Sequence, residues 1–138
     1  MLFLTLGFTG VAQADSAFRA AHFANIDYQQ LAQLMKNDGL LIDVRRPEEW
    51  ERTGVISNSK LITLFDKSGK IQRSFFDKLV TVAKNPDQPI AVICRTGHRS
   101  RAGSQILREL GYRRVYNVAH GITGWIKEGL IVVRPPSR

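Results

Sequence analysis

The chain has 138 residues, of which 43% are hydrophobic and 23% charged, as in a soluble globular protein with one core. Twenty basic and 12 acidic residues give a net charge of +8, which suits small anionic ligands. The basic residues are scattered and accompany no recognition motif, so no nucleic-acid partner is expected. Cys94 is the single cysteine, which excludes an internal disulfide and a zinc site built from a cysteine cluster.

The first segment, residues 1–14, is apolar and carries no charge. It ends in Ala12-Gln13-Ala14, the small-x-small pattern that precedes signal-peptidase cleavage. We therefore expect a signal peptide over residues 1–14, one domain over residues 15–138 and a periplasmic protein. The segment is shorter than the ~20 residues of a membrane-spanning helix, so no permanent membrane anchor is expected. No Lys or Arg precedes it, and a cytoplasmic protein with a buried N-terminal element is the alternative.

A helix followed by a buried strand is predicted next. Asp27 is placed to cap the helix with Gln30 three residues on, and Ile26 and Leu31 are spaced as a hydrophobic staple. Gly39 is expected to end the helix. The apolar run 40–44 is typical of a strand buried on both faces, with Asp43 near its carboxyl end.

Three further elements are predicted before residue 86. Pro47 opens a short helix that Gly54 closes, and residues 60–63 form a second strand. After a turn over residues 66–70, Ser74 caps another helix. The apolar positions of that helix follow helical spacing and are Phe75, Phe76, Leu79, Val80 and Ala83.

The second half of the chain continues the alternation of strands and helices. Residues 89–93 form a buried strand, residues 94–100 a loop, and Gly111 ends the helix that follows. The expected apolar face of that helix is Ala102, Ile106, Leu107 and Leu110. A strand over residues 115–118 and a helix over residues 122–128 complete an α/β domain with a mostly parallel sheet.

The loop after the third strand carries the candidate chemistry. Cys94 stands at the carboxyl end of a strand, where open parallel sheets bind ligands. Backbone amides over residues 95–99 and the following helix favour a bound anion and the thiolate form of Cys94, and Arg95 and Arg99 add full charges. Gly97 provides for positive φ and close backbone approach. Thr96 can donate a hydrogen bond, and His98 either faces substrate or lies in solvent.

Residues 94–100, Cys-Arg-Thr-Gly-His-Arg-Ser, resemble the active-site loop of the rhodanese family. Residues 42–45 with Glu49-Trp50 resemble the family's first motif, and residues 117–125 resemble its last. With the apolar leader, the pattern is similar to the periplasmic, phage-shock-type members.

The resemblance implies a five-stranded parallel sheet with helices on both faces. It implies transfer of sulfur from thiosulfate or a similar anionic donor to a thiol or cyanide through a Cys94 persulfide, without a metal or other cofactor, and we expect a monomer. The expected substrate-binding residues are Arg95, Thr96, Gly97, His98, Arg99 and Ser100. Asp43 and Arg45 would give structural support, and we expect Arg45 to pair with Glu48 or Glu49.

The chain departs from the family pattern over residues 54–59 and at His120, which affects the expected contour of the pocket. Two other functions stay open. Related phosphatases and arsenate reductases place five residues between cysteine and arginine, whereas four separate Cys94 from Arg99. A rhodanese-like fold can also serve as a non-catalytic binding module, although the presence of Cys94 argues against it.

Overall fold

The computed structural model describes residues 22–137, so the signal peptide expected over residues 1–14 lies outside the described part of the chain. Within this range, five strands alternate with five helices. The strands are β1 (Ala24–Ile26), β2 (Leu40–Asp43), β3 (Lys60–Leu61), β4 (Ile90–Ile93) and β5 (Val115–Val118). The helices are α1 (Tyr28–Lys36), α2 (Pro47–Thr53), α3 (Arg73–Val82), α4 (His98–Glu109) and α5 (Gly121–Lys127). None of these helices combines the length and the apolar character that a membrane span requires.

The five strands form one parallel sheet in the order β1-β5-β4-β2-β3. The α/β class and the five-stranded sheet are therefore confirmed. Strand β4 lies in the middle, with its four residues fully buried, because a central parallel strand is covered on both faces. Cys94 directly follows this strand, so the candidate site begins at the best-covered position of the sheet.

Alternation along the central strands creates two cores, one on each face of the sheet. Ile90 and Val92 join one apolar cluster with Phe75, Leu79 and Leu107 of α3 and α4. Ala91 and Ile93 point the opposite way and join Leu31 of α1 and Ile122 of α5 in the second cluster. The helices thus cover both faces, as the resemblance implied.

The local signals at α1 and α2 are confirmed. The Asp27 carboxylate accepts the backbone N–H of Gln30 at 2.8 Å, and the Gln30 side chain accepts the N–H of Asp27 at 2.9 Å, which is a capping box. Pro47 opens α2, and Gly54 follows its last residue with φ of 81°. By contrast, the expectation that Gly39 ends α1 was wrong, because the helix ends at Lys36 with Asn37 as its C-cap, and Asp38, with φ of 61°, takes the left-handed conformation after it.

The prediction for α3 was partly wrong. The helix begins at Arg73 with Gln72 in the N-cap position, so Ser74 lies in the first turn and does not cap it. Phe75 and Leu79 are buried, but Val80 is 62% exposed. The helix buries only the stripe that faces the sheet, and Val80 follows Leu79 by one residue, which turns it about 100° away.

The predicted apolar face of α4 was also wrong in part. The residues that α4 buries are Ser100, Gly103, Ser104 and Leu107, while Leu110 is 52% exposed. A Cβ on Gly103 would lie 3.3 Å from side-chain carbons of Leu64 and Val92, so the helix packs close to the sheet through small residues. This close approach places the first turn of α4 against the end of β4.

Strand β1 was not predicted as a strand. It has three residues, lies at the edge of the sheet and pairs only with β5, where Asn25 is opposite Asn117. Its three residues are exposed, exposed and buried in turn, so they do not show the alternation of apolar and polar residues that predicts a strand. At the other end of the chain, Val133 forms an isolated antiparallel bridge with Val55.

Candidate active site

Cys94 lies at the carboxyl end of β4 and is 1% exposed. Its Sγ accepts the backbone N–H of Gly97 at 3.1 Å, and Gly97 is the N-cap residue of α4. The sulfur therefore lies at the N-terminus of a 12-residue helix, where the partial positive charge of the helix favours an anion. The Gly97 N–H and this helix end are therefore oriented to interact favourably with a negative charge at the sulfur position.

The loop before α4 is shorter than expected. The helix begins at His98, so residues 95–97 alone form the turn and Arg99 and Ser100 belong to the first helical turn. Thr96 and His98 are exposed, and Thr96 Oγ1 lies 3.4 Å from Nδ1 of His98. The structure thus places all seven residues of the sequence motif around one short turn.

Gly97 and Gly121 allow two segments to lie almost in contact. Gly97 has φ of 102°, and a Cβ built on it would lie 2.2 Å from the backbone oxygen of Ala119. Gly121 has φ of 55°, and its Cβ would lie 2.3 Å from the oxygen of Arg95. The expectation that Gly97 supplies positive φ and close approach is confirmed. The turn over residues 95–97 therefore packs directly against residues 119–121, the segment that leads into α5.

The first turn of α5 also binds the loop through its backbone. The N–H of Ile122 donates to the oxygen of Cys94 at 2.9 Å, and the N–H of Thr123 donates to the oxygen of Arg95 at 3.1 Å. Tyr28 anchors the same turn from α1, because its hydroxyl donates to the Gly121 oxygen at 2.7 Å. Burial raises the pKa of Tyr28 to about 12, so this hydroxyl keeps its proton at neutral pH.

Arg99 is held by Glu49 of α2. Its two terminal nitrogens donate to the two carboxylate oxygens at 2.6 and 2.7 Å. Burial by itself acts to raise the pKa of Glu49, but the hydrogen bonds from the Arg99 side chain and the Arg46 backbone, together with the charges of both arginines, outweigh it and lower the pKa to about 2. The pKa of Arg99 is raised, mainly by the hydrogen bonds to Glu49. Both groups stay charged, and the guanidinium has a fixed position in the first turn of α4.

The expected pairing of Arg45 with Glu48 or Glu49 was wrong. Arg45 is fully buried and its guanidinium binds Asp43, with a shortest distance of 2.7 Å. It also donates to Thr53 Oγ1 at 2.7 Å and to the Gly54 oxygen at 3.0 Å. A buried guanidinium needs a charged partner and filled hydrogen bonds, and Asp43 on the adjoining strand end supplies the nearest carboxylate.

This buried pair has a structural consequence for the site. By binding carbonyl and hydroxyl oxygens at the end of α2, Arg45 ties that helix to the end of β2. The two glutamates on α2 then turn elsewhere: Glu48 pairs with Arg46 at 3.0 Å, and Glu49 pairs with Arg99. Asp43 and Arg45 therefore fix the helix that presents Glu49.

Ser100 lies beneath the sulfur, with no exposed surface. Its Oγ is 3.3 Å from Cys94 Sγ and donates to Oδ1 of Asn117 at 2.6 Å. Asn117 is 1% exposed, and its Nδ2 donates to Oδ1 of Asn25 at 3.0 Å. A continuous chain of polar side chains therefore runs from the sulfur to the edge strand β1.

An open pocket with a volume of about 370 Å³ adjoins the loop. Four arginines and two glutamates line it together with Thr96, namely Arg46, Arg52, Arg95, Arg99, Glu48 and Glu49. A larger groove, of about 570 Å³, lies along β3 and α3 and includes none of residues 94–100. The smaller pocket is the one suited to a small anion, because its arginines outnumber its glutamates.

The model of the rhodanese-like domain family matches residues 27–128. The chain belongs to the rhodanese-like family. Relatives include the thiosulfate sulfurtransferase GlpE of Glaesserella parasuis, 31% identical over 78% of this chain and 91% of its own length. A sulfurtransferase of Allochromatium vinosum is 31% identical over 80% of this chain and 94% of its own length.

A solved rhodanese-like structure agrees in fold. The homodimeric polysulfide-sulfur transferase of Wolinella succinogenes is 27% identical, with a TM-score of 0.66 over 88% of this chain and 85% of that chain. Family membership implies a rhodanese-like sulfurtransferase with a sulfur donor and a thiol acceptor.

Two residues of this rhodanese-like site were not identified as site residues from the sequence. Glu49 was assigned to the first motif and to a local ion pair with Arg45, and Asn117 only to the last motif. Asn117 did carry a signal, because a polar residue in the buried strand 115–118 must find a hydrogen-bond partner. Since side chains alternate, it shares the face of Val115, which belongs to the α4 side of the sheet.

Proposed function

We propose that this chain is a sulfurtransferase that carries sulfane sulfur on Cys94 as a persulfide. The observation that supports this most directly is the contact between Cys94 Sγ and the Gly97 N–H at the start of α4. A thiolate held there is a nucleophile, and the same helix end favours the negative charge that a persulfide carries.

In the first step, the Cys94 thiolate attacks the outer sulfur of thiosulfate. A new sulfur–sulfur bond forms to Cys94 as the bond to the sulfonate sulfur breaks. Sulfite leaves with the electron pair of that bond, and Cys94 becomes a persulfide anion. Arg95 is exposed at the pocket, so it can meet the incoming sulfonate, while Arg99 contributes a fixed positive charge next to the sulfur.

In the second step, an acceptor thiol in its thiolate form, or cyanide, attacks the outer sulfur of the persulfide. The sulfur moves to the acceptor, and the Cys94 thiolate leaves with the bonding electrons, which restores the starting state. The two half-reactions share one site and predict double-displacement kinetics. They need no metal or organic cofactor.

The substrate is expected to interact with the cations that have no internal partner. Within residues 22–137, Arg52 and Arg95 form no ion pair, whereas Arg46 and Arg99 each bind a glutamate. The unpaired arginines at the pocket can therefore bind an anion without breaking an existing ion pair. This favours an anionic donor such as thiosulfate over a neutral one.

The alternative phosphatase chemistry is less well supported. Four residues separate Cys94 from Arg99, one fewer than in the related phosphatases, and Arg99 is already bound to Glu49. Kinetic assays with thiosulfate plus cyanide and with an aryl phosphate test the assignment. We expect thiocyanate formation and negligible phosphate release, and faster hydrolysis of the aryl phosphate would favour a phosphatase. Inactivity towards every sulfane donor would instead support a non-catalytic module.

We propose that the chain is exported to the periplasm and cleaved after Ala14, because residues 1–14 are uncharged, apolar and end in a small-x-small pattern. N-terminal sequencing of the protein from cells tests this. A mature N-terminus at Asp15 is expected, and a retained Met1 would contradict it.

We also propose that the exported protein works as a monomer, because a single chain contains all the residues that the two steps require. The Wolinella relative is a homodimer. Light scattering on the purified protein should give the mass of one chain, and a dimer mass would contradict this.

A further inference from the structure

The hydrogen-bond chain beneath Cys94 has a direction. A serine hydroxyl has one proton to donate and lone pairs to accept with. Ser100 donates its proton to Asn117 Oδ1 at 2.6 Å. It therefore turns a lone pair, and not a proton, towards Cys94 Sγ at 3.3 Å.

Asn25 fixes the orientation of the Asn117 amide. The two residues are direct neighbours on β1 and β5, and the Asn117 amide nitrogen donates to Asn25 at 3.0 Å. With its nitrogen used in this way, Asn117 presents its oxygen to Ser100. Because Asn117 and Ser100 are buried, water does not compete for these groups.

We propose that Asn117 is a positioning residue that keeps the Ser100 hydroxyl proton away from Cys94 and so favours the protonated thiol. The thiol can donate its proton to the Ser100 lone pair, whereas the thiolate faces that lone pair without a donor. This effect opposes the Gly97 N–H and the N-terminus of α4, which favour the thiolate. The inference deepens the proposed function by naming a residue that sets the reactivity of Cys94.

The balance matters for sulfur transfer. A thiolate that is strongly stabilised is a weaker nucleophile, and attack is fastest when the thiol titrates near the ambient pH. Asn117 would therefore prevent the helix N-terminus and the nearby cations from making the sulfur too stable to attack its donor.

Charged and titratable side chains on the neighbouring elements must stay constant in the test of Asn117. They come from the loop and α4, from the end of β2, from α2 and from the segment before α5. These groups are Arg95, His98, Arg99, Asp43, Arg45, Glu49 and His120. Substitutions at Asn117 and Ser100 leave all of them unchanged.

The experiment is the pH dependence of alkylation of the full chain by iodoacetamide, which reports the thiolate without any sulfur donor. In Asn117→Leu the Ser100 hydroxyl is free to donate to the thiolate. We expect the pH of half-maximal alkylation to fall by about one unit, since a hydrogen bond to a charged group has that strength. In Ser100→Ala the pH should also fall, because the thiol loses its acceptor, but by less.

The double variant Ser100→Ala with Asn117→Leu tests the connection between the two residues. It should titrate like Ser100→Ala alone, because Asn117 acts through the serine. Additive shifts would overturn the proposal, as would an unchanged or higher pH of half-maximal alkylation in either single variant. If Asn117→Leu does not fold, Asn117→Ala takes its place with the same expected shift, and the direction of the Ser100→Ala shift still tests the proposal.

Ser104→Ala is the matched control. Ser104 is buried one turn further along α4, and its hydroxyl forms no hydrogen bond with the described residues. Its alkylation profile should match that of the unchanged protein, and a shift as large as that of Ser100→Ala would overturn the proposal. Because alkylation does not require sulfur transfer, failure here is distinguishable from failure of the proposed function.

Discussion

Glu49 and Arg99, 50 positions apart in the sequence, form a two-point ion pair with distances of 2.6 and 2.7 Å. The same Glu49 carboxylate accepts the backbone N–H of Arg46 at 2.9 Å. One side chain therefore joins the first turn of α2 to the first turn of α4, beside the sulfur of Cys94. The pair fixes the position of the Arg99 guanidinium before any substrate binds.

The first prediction concerns stability and pH. The pKa of Glu49 is lowered from 4.5 to about 2, so the unfolded chain binds this proton more readily than the folded one. The pair therefore stabilises the fold above pH 4.5, and this contribution is lost as the pH falls towards 2. Glu49→Gln should lower the free energy of unfolding by about 1–2 kcal/mol at neutral pH, allowing for solvent screening. Near pH 2 the variant and the unchanged protein should differ little in stability.

Urea unfolding at several pH values measures this difference. Glu51→Gln is the matched control, because Glu51 is exposed on the same helix and should show little effect at any pH. If Glu49→Gln loses stability with falling pH as steeply as the unchanged protein, the pair does not make this contribution.

The second prediction concerns Arg99 as a positive charge in a fixed place. Arg99→Lys keeps the charge but loses the two-point geometry, whereas Arg99→Ala loses both. We expect kcat/KM for thiosulfate to fall about tenfold in Arg99→Lys and about 100-fold in Arg99→Ala, in line with loss of charge-assisted contacts.

Arg101→Ala provides the control for net charge. Arg101 is exposed two residues further along α4 and does not line the pocket. Steady-state kinetics should give a kcat/KM close to that of the unchanged protein. An equal loss in Arg101→Ala and Arg99→Ala would show that the overall charge, and not the position of Arg99, determines activity.

The third prediction separates backbone strain from steric overlap at Gly97. Both Gly97 and Gly111 have positive φ, 102° and 98°, but a Cβ on Gly111 meets nothing within 4 Å. Gly111→Ala should therefore cost only the strain of a left-handed backbone, about 1–2 kcal/mol. Gly97→Ala adds an overlap with the Ala119 oxygen and should cost about 1–3 kcal/mol more.

Thermal unfolding and sulfur-transfer rates measure the two glycine variants side by side. Gly97→Ala should also lose most of its activity, since the overlap displaces the amide that binds Cys94 Sγ, whereas Gly111→Ala should keep its activity. Equal loss of stability in the two variants would contradict the close approach of the loop to Ala119.

The sequence predicted those features of the fold that depend on neighbouring residues. The capping box of Asp27, the opening of α2 at Pro47 and the buried strand before Cys94 all follow from local patterns. Strand β1 could not be predicted from a local pattern, because its three residues form a strand by pairing with β5. A stretch of three residues contains too few positions to indicate pairing with a distant segment.

The same limit applies to the candidate site. The loop 94–100 was recognisable because its residues are contiguous, but the partner of Arg99 lies on another element. Local spacing favoured a pair between Arg45 and Glu48 or Glu49. In the structure Arg45 is buried and pairs instead with Asp43, the carboxylate that is buried beside it. The small residues that α4 buries were missed because helical periodicity was read from large apolar residues alone, although close packing on a sheet favours small ones.

The central claim is that Cys94 carries the transferred sulfur. Intact-mass analysis of the full chain after exposure to thiosulfate tests it directly, with Cys94→Ser as the matched variant. The chain should gain the mass of one sulfur atom, lose it again on addition of cyanide with release of thiocyanate, and show neither change in Cys94→Ser. A chain that gains no sulfur from thiosulfate, or a Cys94→Ser variant that still does, would contradict the account.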